Sequence, residues 1–317
     1  NLIGHDVVYS QTDNDLNSFL RTGMTWTNSV ELTSANDKNT FRVGVMDLSN
    51  KAIVPNSGFE RTSFTLRGTA NLTNKLSMDA KISYINQKTD NRVKLAGDPD
   101  NIFLNYLRMP RSVHYKDMNM PESNYAYPNG TTSVSGTDLS GKPIAWTDSY
   151  GGMIRNPYWA AYKNTNEDRR HRFIGFGSLK YEFTDWLDIQ GRYGMDFTTA
   201  QYKMRQATGT PYWYQEGEYI IHKDQNYEIN ADFLITFNKQ LSDKLGLVAT
   251  AGGNVMYKRI DNMMGRTNGL IIPDKFTLVN GKTKDVSDFL SRKQINSLYA
   301  TTSFAWDNML YLDLTAR

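Results

Sequence analysis

Aromatic side chains gather in polar stretches of the chain, and they are the residues best suited to hold a ligand. Tyr and Trp rings stack on sugar faces, pack against peptide side chains and often anchor binding interfaces. The sequence therefore predicts ligand contacts between the strands, while packing of these rings within their own segments stays open as the alternative. The candidates are Tyr125, Tyr127, Trp146, Tyr158, Trp159, Tyr212, Trp213 and Tyr214.

Side chains for bond chemistry are sparse or wrongly spaced. The histidines, His5, His114, His171 and His222, are scattered without the short spacings of metal ligands. The chain has no cysteine, which excludes thiolate metal sites, cysteine nucleophiles and disulfides. No Gly-x-Ser-x-Gly turn marks a nucleophilic serine. We therefore expect no enzymatic activity, no catalytic residues, no metal and no cofactor.

The elements that must position the aromatic segments are strands of strictly alternating polarity. Phe64–Leu72 and Leu187–Phe197 alternate apolar with polar residues, the period of a strand whose two faces meet different surroundings. Such strands reach about ten residues, longer than the usual strand of a globular sheet. One face suits hydrocarbon while the other carries charge, as in the wall of a transmembrane β-barrel.

Composition favours the same architecture. The 317 residues are 39% apolar and 12% aromatic, with a mean hydropathy of −0.57. A barrel with an aqueous lumen needs only an apolar outer band, whereas a soluble β-protein of this size needs an apolar interior. No apolar run reaches the ~20 residues of a membrane helix. A net charge of +3 is too small to indicate nucleic acid.

Five hairpins can be read, with short polar turns at one end and longer connections at the other. The paired segments are Met24–Leu32 with Phe41–Leu48, Phe64–Leu72 with Leu76–Tyr84, Phe173–Phe183 with Leu187–Phe197, Ile229–Phe237 with Leu245–Tyr257, and Leu298–Phe304 with Leu310–Ala316. The longer connections are Ser49–Glu60, Gln87–Arg169, Thr199–Gln225 and Arg259–Gln294. They recur at every second connection, so all leave the same end of the sheet, which is the extracellular end in an outer-membrane barrel.

These features predict an all-β chain: a partial transmembrane antiparallel β-barrel of about ten strands with long extracellular loops. Residues 1–317 then form one barrel portion, and residues 87–169 form a structured cap over its mouth. The last alternating segment, Leu310–Ala316, has no following connection, and lipid does not tolerate an unpaired edge. We expect an inner portion of a larger barrel, with no plug domain and no signal peptide in these residues.

The alternation gives every strand an outward apolar face and an inward polar face. We expect Leu66, Ile189, Phe233 and Leu247 to meet lipid. The residues expected to line the lumen or contact a plug are Arg67, Asp79, Arg192, Asp196 and Asp232. Aromatic residues beside the short turns are expected to form an interfacial girdle; they are Phe183, Trp186, Phe237, Phe304, Trp306 and Tyr311. The charged run Glu167–Arg172 is either a polar rim or a site for anionic lipopolysaccharide.

Several segments, in matching order, resemble SusC/RagA-type TonB-linked outer-membrane transporters. They are Asp15–Gly23, Thr27–Leu32, Asn39–Val43, Asn50–Asn56, Phe59–Arg61, Leu66–Arg67 and Arg155–Trp159. The resemblance is spread over most of the chain and implies a full-length plugged barrel of about 22 strands. It also implies a SusD-like lipoprotein lid, a glycan or peptide ligand, and import driven by TonB through a plug and a TonB box that lie outside these residues.

The leading hypothesis is therefore an importer in the outer membrane of a Gram-negative bacterium. Its partners would be the SusD-like lipoprotein, the TonB complex, a glycan or peptide, membrane lipids and lipopolysaccharide, with no nucleic acid. Two alternatives stay open. A porin without energy coupling has the same hairpins, and a soluble all-β binding or adhesion protein shares the alternation.

Overall fold

A computed structural model describes residues 16–109, 155–210, 214–307 and 309–317, and the backbone of two short strands at 125–126 and 132–133. The strands are β1 (Met24–Ala35), β2 (Asn39–Lys51), β3 (Gly58–Asn71), β4 (Leu76–Asp90), β5 (Tyr125–Ala126), β6 (Thr132–Ser133), β7 (Thr165–Thr184), β8 (Leu187–Gln206), β9 (Glu218–Ser242), β10 (Leu245–Leu270), β11 (Gly281–Trp306) and β12 (Leu310–Ala316). The helices are α1 (Ile102–Arg108) and α2 (Pro157–Tyr162), with single 3-10 turns at Leu16–Ser18 and Leu278–Asn280. No helix within these ranges is long and apolar enough to cross a bilayer.

Ten of the strands form one sheet in the order β1-β2-β3-β4-β7-β8-β9-β10-β11-β12, and β5 pairs only with β6. Every neighbouring pair is antiparallel. The sheet is open as described, with β1 and β12 at its edges. The predicted all-β antiparallel architecture of about ten strands is confirmed.

All five predicted hairpins are present, but three of the predicted long connections are wrong in extent. Ser49–Glu60, Thr199–Gln225 and Arg259–Gln294 shorten to 52–57, 207–217 and 271–280, because the strands continue into them. β9 and β10 reach 25 and 26 residues. In these extensions apolar and polar residues no longer alternate, as at Ile220–Ile221 and Met263–Met264, while the ladder of hydrogen bonds continues.

The predicted cap over 87–169 also begins later than expected. β4 runs to Asp90 and β7 begins at Thr165, and α1 and α2 lie between them. Asn101 caps α1 by accepting hydrogen bonds from the amides of Phe103 and Leu104, and Asn156 caps α2 through the amide of Tyr158. Side-chain caps of this kind replace hydrogen bonds that the first turn of a helix lacks.

The pairing register places one aromatic residue at the same level of the apolar face on each of five neighbouring strands, β3, β4, β7, β8 and β9. Phe64, Tyr84, Phe173, Phe197 and Tyr227 are successive cross-strand partners, and such partners share a face. The rings of Tyr84 and Phe173 are 4.6 Å apart, and those of Phe197 and Tyr227 are 6.3 Å apart. We call these five residues the aromatic row.

A second level of aromatic residues lies at the short-turn end of the same face. In β7, Phe183 follows Phe173 by ten positions, as Phe237 follows Tyr227 in β9. At about 3.3 Å per residue this separation is about 33 Å along the strand, or about 25 Å across a membrane for strands tilted by about 40°. An outer-membrane barrel has an apolar band of this height between its two aromatic girdles, about 25 Å.

The predicted outward residues share this apolar face. Cross-strand pairing runs from Leu66 to Ile82, Gly175 and Met195 in turn, so these residues share a face. Ile189 lies on the same side of β8 as Met195, because the side chains of a strand return to one face at every second residue. Phe233 and Leu247 hold equivalent positions in β9 and β10. Among the girdle residues, Tyr311 is an exception. It pairs with Ala305, which pairs with Gly246 on the polar face.

Candidate functional site

The polar face brings the predicted lumen residues together. Asp79 lies opposite Ser178, Ser178 opposite Arg192, and Arg192 opposite Asp232, so one row crosses β4, β7, β8 and β9. Asp196 occupies the same face of β8, two rows from Arg192. The sheet therefore presents charged groups at similar heights on neighbouring strands.

Ion pairs bridge neighbouring strands along this face. They include Arg67–Asp79 at 3.0 Å, Arg192–Asp232 at 3.0 Å and Arg172–Asp196, where the guanidinium contacts both carboxylate oxygens at 2.9 and 2.5 Å. Their arginine side chains are 41–55% exposed. Exposed pairs contribute under about 1 kcal/mol each, so the fold does not depend on them. A hydrated face of alternating charge suits the wall of an aqueous passage.

The end of the sheet with the longer connections, which we call the mouth, carries a small core of its own. α2 and the 3-10 turn at Leu16–Ser18 bring Phe19, Tyr158 and Trp159 together with Val54 and Ile102. The rings of Phe19 and Tyr158 meet edge to face at 4.9 Å. Trp159 is 2% exposed and donates from Nε1 to Thr210 Oγ1 at 2.9 Å. This core joins segments from distant parts of the sequence at one end of the sheet.

A buried ion pair lies beside that core. Asp100 Oδ1 accepts from Arg155 Nη1 at 2.6 Å, and the two side chains are 4% and 1% exposed. Asn164 and Gln206 also donate to Asp100, at 2.9 and 3.1 Å. One carboxylate, just before α1, therefore binds both flanks of α2 and the end of β8.

This network lies on the polar side of the strands. Gln206 and Met204 share a face of β8 with Arg192, and Lys94 reaches Met204 Sδ at 3.8 Å. Lys94, Asp100 and Asn164 accordingly lie over part of the polar face at the end of the longer connections. Within the described ranges, no three side chains of His, Cys, Asp or Glu lie close enough to hold a metal ion.

Glu218 is the most unusual acid of the mouth. It is 3% exposed, and its Oε1 accepts from Arg266 Nε at 2.5 Å. Its Oε2 is buried without a hydrogen-bond partner. Burial raises the pKa of Glu218, and the hydrogen bond from Arg266 only partly opposes this.

Tyr214 is half-buried close to this acid. Burial raises the pKa of its hydroxyl, and the charge of Glu218 acts in the same direction. The guanidinium of Arg155 lies 5.5 Å from the centre of the Tyr214 ring. Tyr214 therefore links the Asp100 network to the Glu218–Arg266 pair.

The predicted ligand-binding aromatic residues have different surroundings. Tyr158 and Trp159 are buried in the mouth core, so the packing alternative accounts for both. Tyr214 lies at the mouth among charged groups. Tyr127, Trp146, Tyr212, Trp213 and the side chain of Tyr125 lie outside the described residues.

Sequence reasoning missed the polar residues that organise the mouth. Nothing in the spacing around Asp100 or Glu218 distinguishes them from solvated loop acids, since their partners are remote in sequence. Arg155 belongs to a family-like segment, and that was the one available signal. The charged run Glu167–Arg172 separates by alternation: Arg169 and His171 point to the apolar side, and Arg170 and Arg172 to the polar side.

The sheet, with its apolar band and its charged face, has the fold of part of an outer-membrane β-barrel wall. More particularly, the fold resembles the structure of the RagAB peptide transporter, with a TM-score of 0.70 and 15% identity over 92% of this chain and 31% of that chain. The RagAB peptide importer in its closed-closed and open-open states gives TM-scores of 0.71 at 15% identity, over 97% and 95% of this chain and 33% and 32% of those chains.

The predicted resemblance to SusC/RagA-type proteins is thus confirmed at the level of the fold. This chain spans about a third of the length of those transporter chains. No protein-family model and no curated protein matches it in sequence.

Proposed function

We propose that this chain forms part of the barrel wall of an outer-membrane importer that takes up a glycan or a peptide with TonB-derived energy. The main support is the register of the ten-stranded sheet, which separates an apolar face of membrane height from a continuous charged face. The likeness to a transporter fold agrees with this assignment.

The structure also suggests how the wall would serve import. Charged side chains at matched heights on the polar face would keep the passage hydrated and offer contacts to a plug. The mouth core and its buried ion pair would hold α1 and α2 over the opening. We propose that a SusD-like lipoprotein closes over this end, with Tyr214 among the residues that face the ligand.

The test uses the full-length protein in its native outer membrane. Cells would be given labelled oligopeptides and labelled oligosaccharides, and uptake measured with and without an intact TonB system. Saturable uptake of one ligand class that disappears without TonB supports the proposal. Uptake that persists without TonB and rises linearly with concentration would instead indicate a porin.

A second measurement addresses the soluble alternative. A folded outer-membrane barrel migrates differently in gels before and after heating and requires detergent for extraction. Recovery of the full-length protein in the soluble fraction, without a heat-dependent shift, would exclude both membrane functions. Saturation by peptides alone or by oligosaccharides alone would identify the ligand class.

A further inference from the structure

Asp224 is an unpaired acid on the polar face of β9. Three further acids share this face of the strand, and each has a cationic partner. They are Glu218 with Arg266, Glu228 with Lys258 at 3.5 Å, and Asp232 with Arg192 at 3.0 Å. Within the described residues, the carboxylate of Asp224 has neither an ion pair nor a hydrogen bond. Its negative charge is therefore uncompensated by the wall.

The cations of β10 are too far along the strand to reach Asp224. Asp224 lies directly opposite Asn262. Lys258 and Arg266 stand four residues to either side of Asn262, which is about 13 Å along the strand. Both are already engaged by other acids of β9.

The flank of Asp224 toward β8 is open. Its partner there is Ala200, whose side chain is a single methyl group, and Ala200 pairs in turn with Arg170 of β7. Two strand spacings of about 4.8 Å separate Asp224 from Arg170, and the two side chains form no ion pair. The wall therefore leaves space for a ligand in front of Asp224.

The residues beside Asp224 are rings and an amide. Asn262 has a buried Oδ1 without a hydrogen-bond partner. Phe289 lies opposite Asn262 on β11 and is 58% exposed. Tyr202 and His222 occupy the next level toward the mouth, and their rings meet edge to face at 5.8 Å. We call these five residues the Asp224 patch.

The Asp224 patch lies outside the apolar band. Tyr227 belongs to the aromatic row, and Asp224 is three residues closer to the mouth in the same strand, about 10 Å along it. The patch faces the polar side of the sheet. A ligand entering the proposed passage from the mouth would therefore meet it before reaching the level of the membrane.

The chemistry of the patch favours a cationic amine as its ligand. Directly opposed residues have Cβ atoms about 5 Å apart, so Asp224 and Asn262 Oδ1 are neighbouring acceptors that both lack a donor. An ammonium group carries three donors and no acceptor, and it can bond to both at once. The faces of Phe and Tyr rings also attract cations. A neutral sugar hydroxyl has one donor and would leave the charge of Asp224 uncompensated.

We propose that the Asp224 patch binds an ammonium group of an imported oligopeptide, at its N-terminus or on a lysine side chain. This inference rests on the proposed import function and selects the peptide as its ligand. Ile260 and Met264 flank Asn262 on the same face of β10, and they would contact apolar parts of the same peptide. Apolar contacts of this kind favour a peptide over a hydroxyl-rich amino-sugar chain.

The first test compares peptides that differ only in the charge of their amines. The detergent-purified full-length protein would be mixed with a thermolysin digest of casein and an equal amount of the same digest with acetylated, neutral amines. Retained peptides that lack arginine would be quantified by mass spectrometry. We expect the wild-type protein to prefer the unmodified forms roughly tenfold or more. Equal retention of the two forms would overturn the inference.

The second test assigns this preference to Asp224. Asp224→Asn keeps the shape of the side chain and removes its charge, so the preference should disappear while acetylated peptides bind as before. The matched control is Asp261→Asn, which removes the same charge from the outward face of β10 beside Asn262, where Asp261 is paired with Arg259 at 2.6 Å. The control should keep the preference. A preference that survives in Asp224→Asn, or that both variants lose equally, would show that the patch is not the site.

Oligosaccharides and uptake separate this inference from the proposed function. Retention of glucosamine oligosaccharides over their N-acetylated counterparts, with no discrimination among the peptides, would refute the peptide assignment. TonB-dependent uptake of neutral oligosaccharides alone would overturn the inference and leave the import proposal intact. Uptake that neither saturates nor depends on TonB would refute the proposed import function itself.

Discussion

Asp100 and Asp79 are both carboxylates paired with arginine, yet their surroundings give them different roles. The Asp79 pair lies on a hydrated face, where screening keeps its contribution to stability under about 1 kcal/mol. The Asp100 pair is buried, and a buried ion that loses its partner is costly because its charge stays away from water. The polar-face pairs would therefore belong to the proposed passage, whereas the Asp100–Arg155 pair joins segments of the mouth.

Replacing Asp100 should loosen the mouth and leave the sheet intact. In Asp100→Ala the Arg155 charge remains buried without this carboxylate, at a cost of about 3–5 kcal/mol. Hydrogen exchange of the full-length protein should show faster opening of 91–109 and 155–164. Asp79→Ala is the control on the exposed polar face. It should change the free energy of opening of the same segments by less than about 1 kcal/mol. Similar behaviour of the two variants would contradict the separate roles.

Glu218 should make the stability of the mouth depend on pH. Its pKa is raised in the folded protein, so the folded state holds its proton more tightly than the unfolded state does. Stability then falls as pH rises through the raised pKa, and the loss is absent below the usual pKa of about 4.3. The free energy of local opening at 216–220 should therefore be lower at about pH 8 than at about pH 5.

The control for this effect is Glu218→Gln, which cannot titrate. The difference between wild-type and variant opening free energies isolates this one acid from other groups that titrate in the same range. We expect the variant to be the more stable at the alkaline end. A difference that stays constant with pH would show that Glu218 is not responsible.

At the scale of the strands, the sequence was informative where the two faces differ chemically. The alternation in Leu187–Phe197 located a strand within the apolar band, and the short polar turn expected at Thr184–Asp185 lies one residue from the observed turn at 185–186. Above the aromatic row the pattern disappears, and β8 nevertheless continues to Gln206 because backbone pairing with β7 and β9 extends it. Backbone ladders leave little trace in residue type, so the upper strand ends and the mouth core were beyond prediction.

The structure places two of the predicted lipid-facing residues at different distances from the short-turn end of the sheet. Ile189 is only two positions from the short-turn end of β8, whereas Phe233 lies four positions from Phe237 and six from Tyr227 in β9. Phe233→Arg should therefore cost about 2–4 kcal/mol, and Ile189→Arg about 0–1 kcal/mol. Reversible unfolding of the full-length protein in lipid vesicles measures both. A larger cost for Ile189→Arg would reverse the depth assignment.

At the scale of the whole molecule, each short turn lies at one end of the sheet and each longer connection at the other. The mouth core and the buried acids Asp100 and Glu218 both belong to the end with the longer connections. In outer-membrane barrels that end faces the outside of the cell. A single orientation would therefore place the proposed ligand capture and the proposed lid on the same side of the membrane.

This orientation can be tested with single cysteines, because the chain has none of its own. Lys275→Cys lies in the connection between β10 and β11, and Asp243→Cys lies in the short turn between β9 and β10. A membrane-impermeant maleimide added to intact cells should label the first in the full-length protein and not the second. Both should react after the outer membrane is permeabilised, and the parent protein gives the background. Labelling of Asp243→Cys alone would mean that the barrel is inverted, and equal labelling of both in intact cells would mean that the sheet does not separate two compartments.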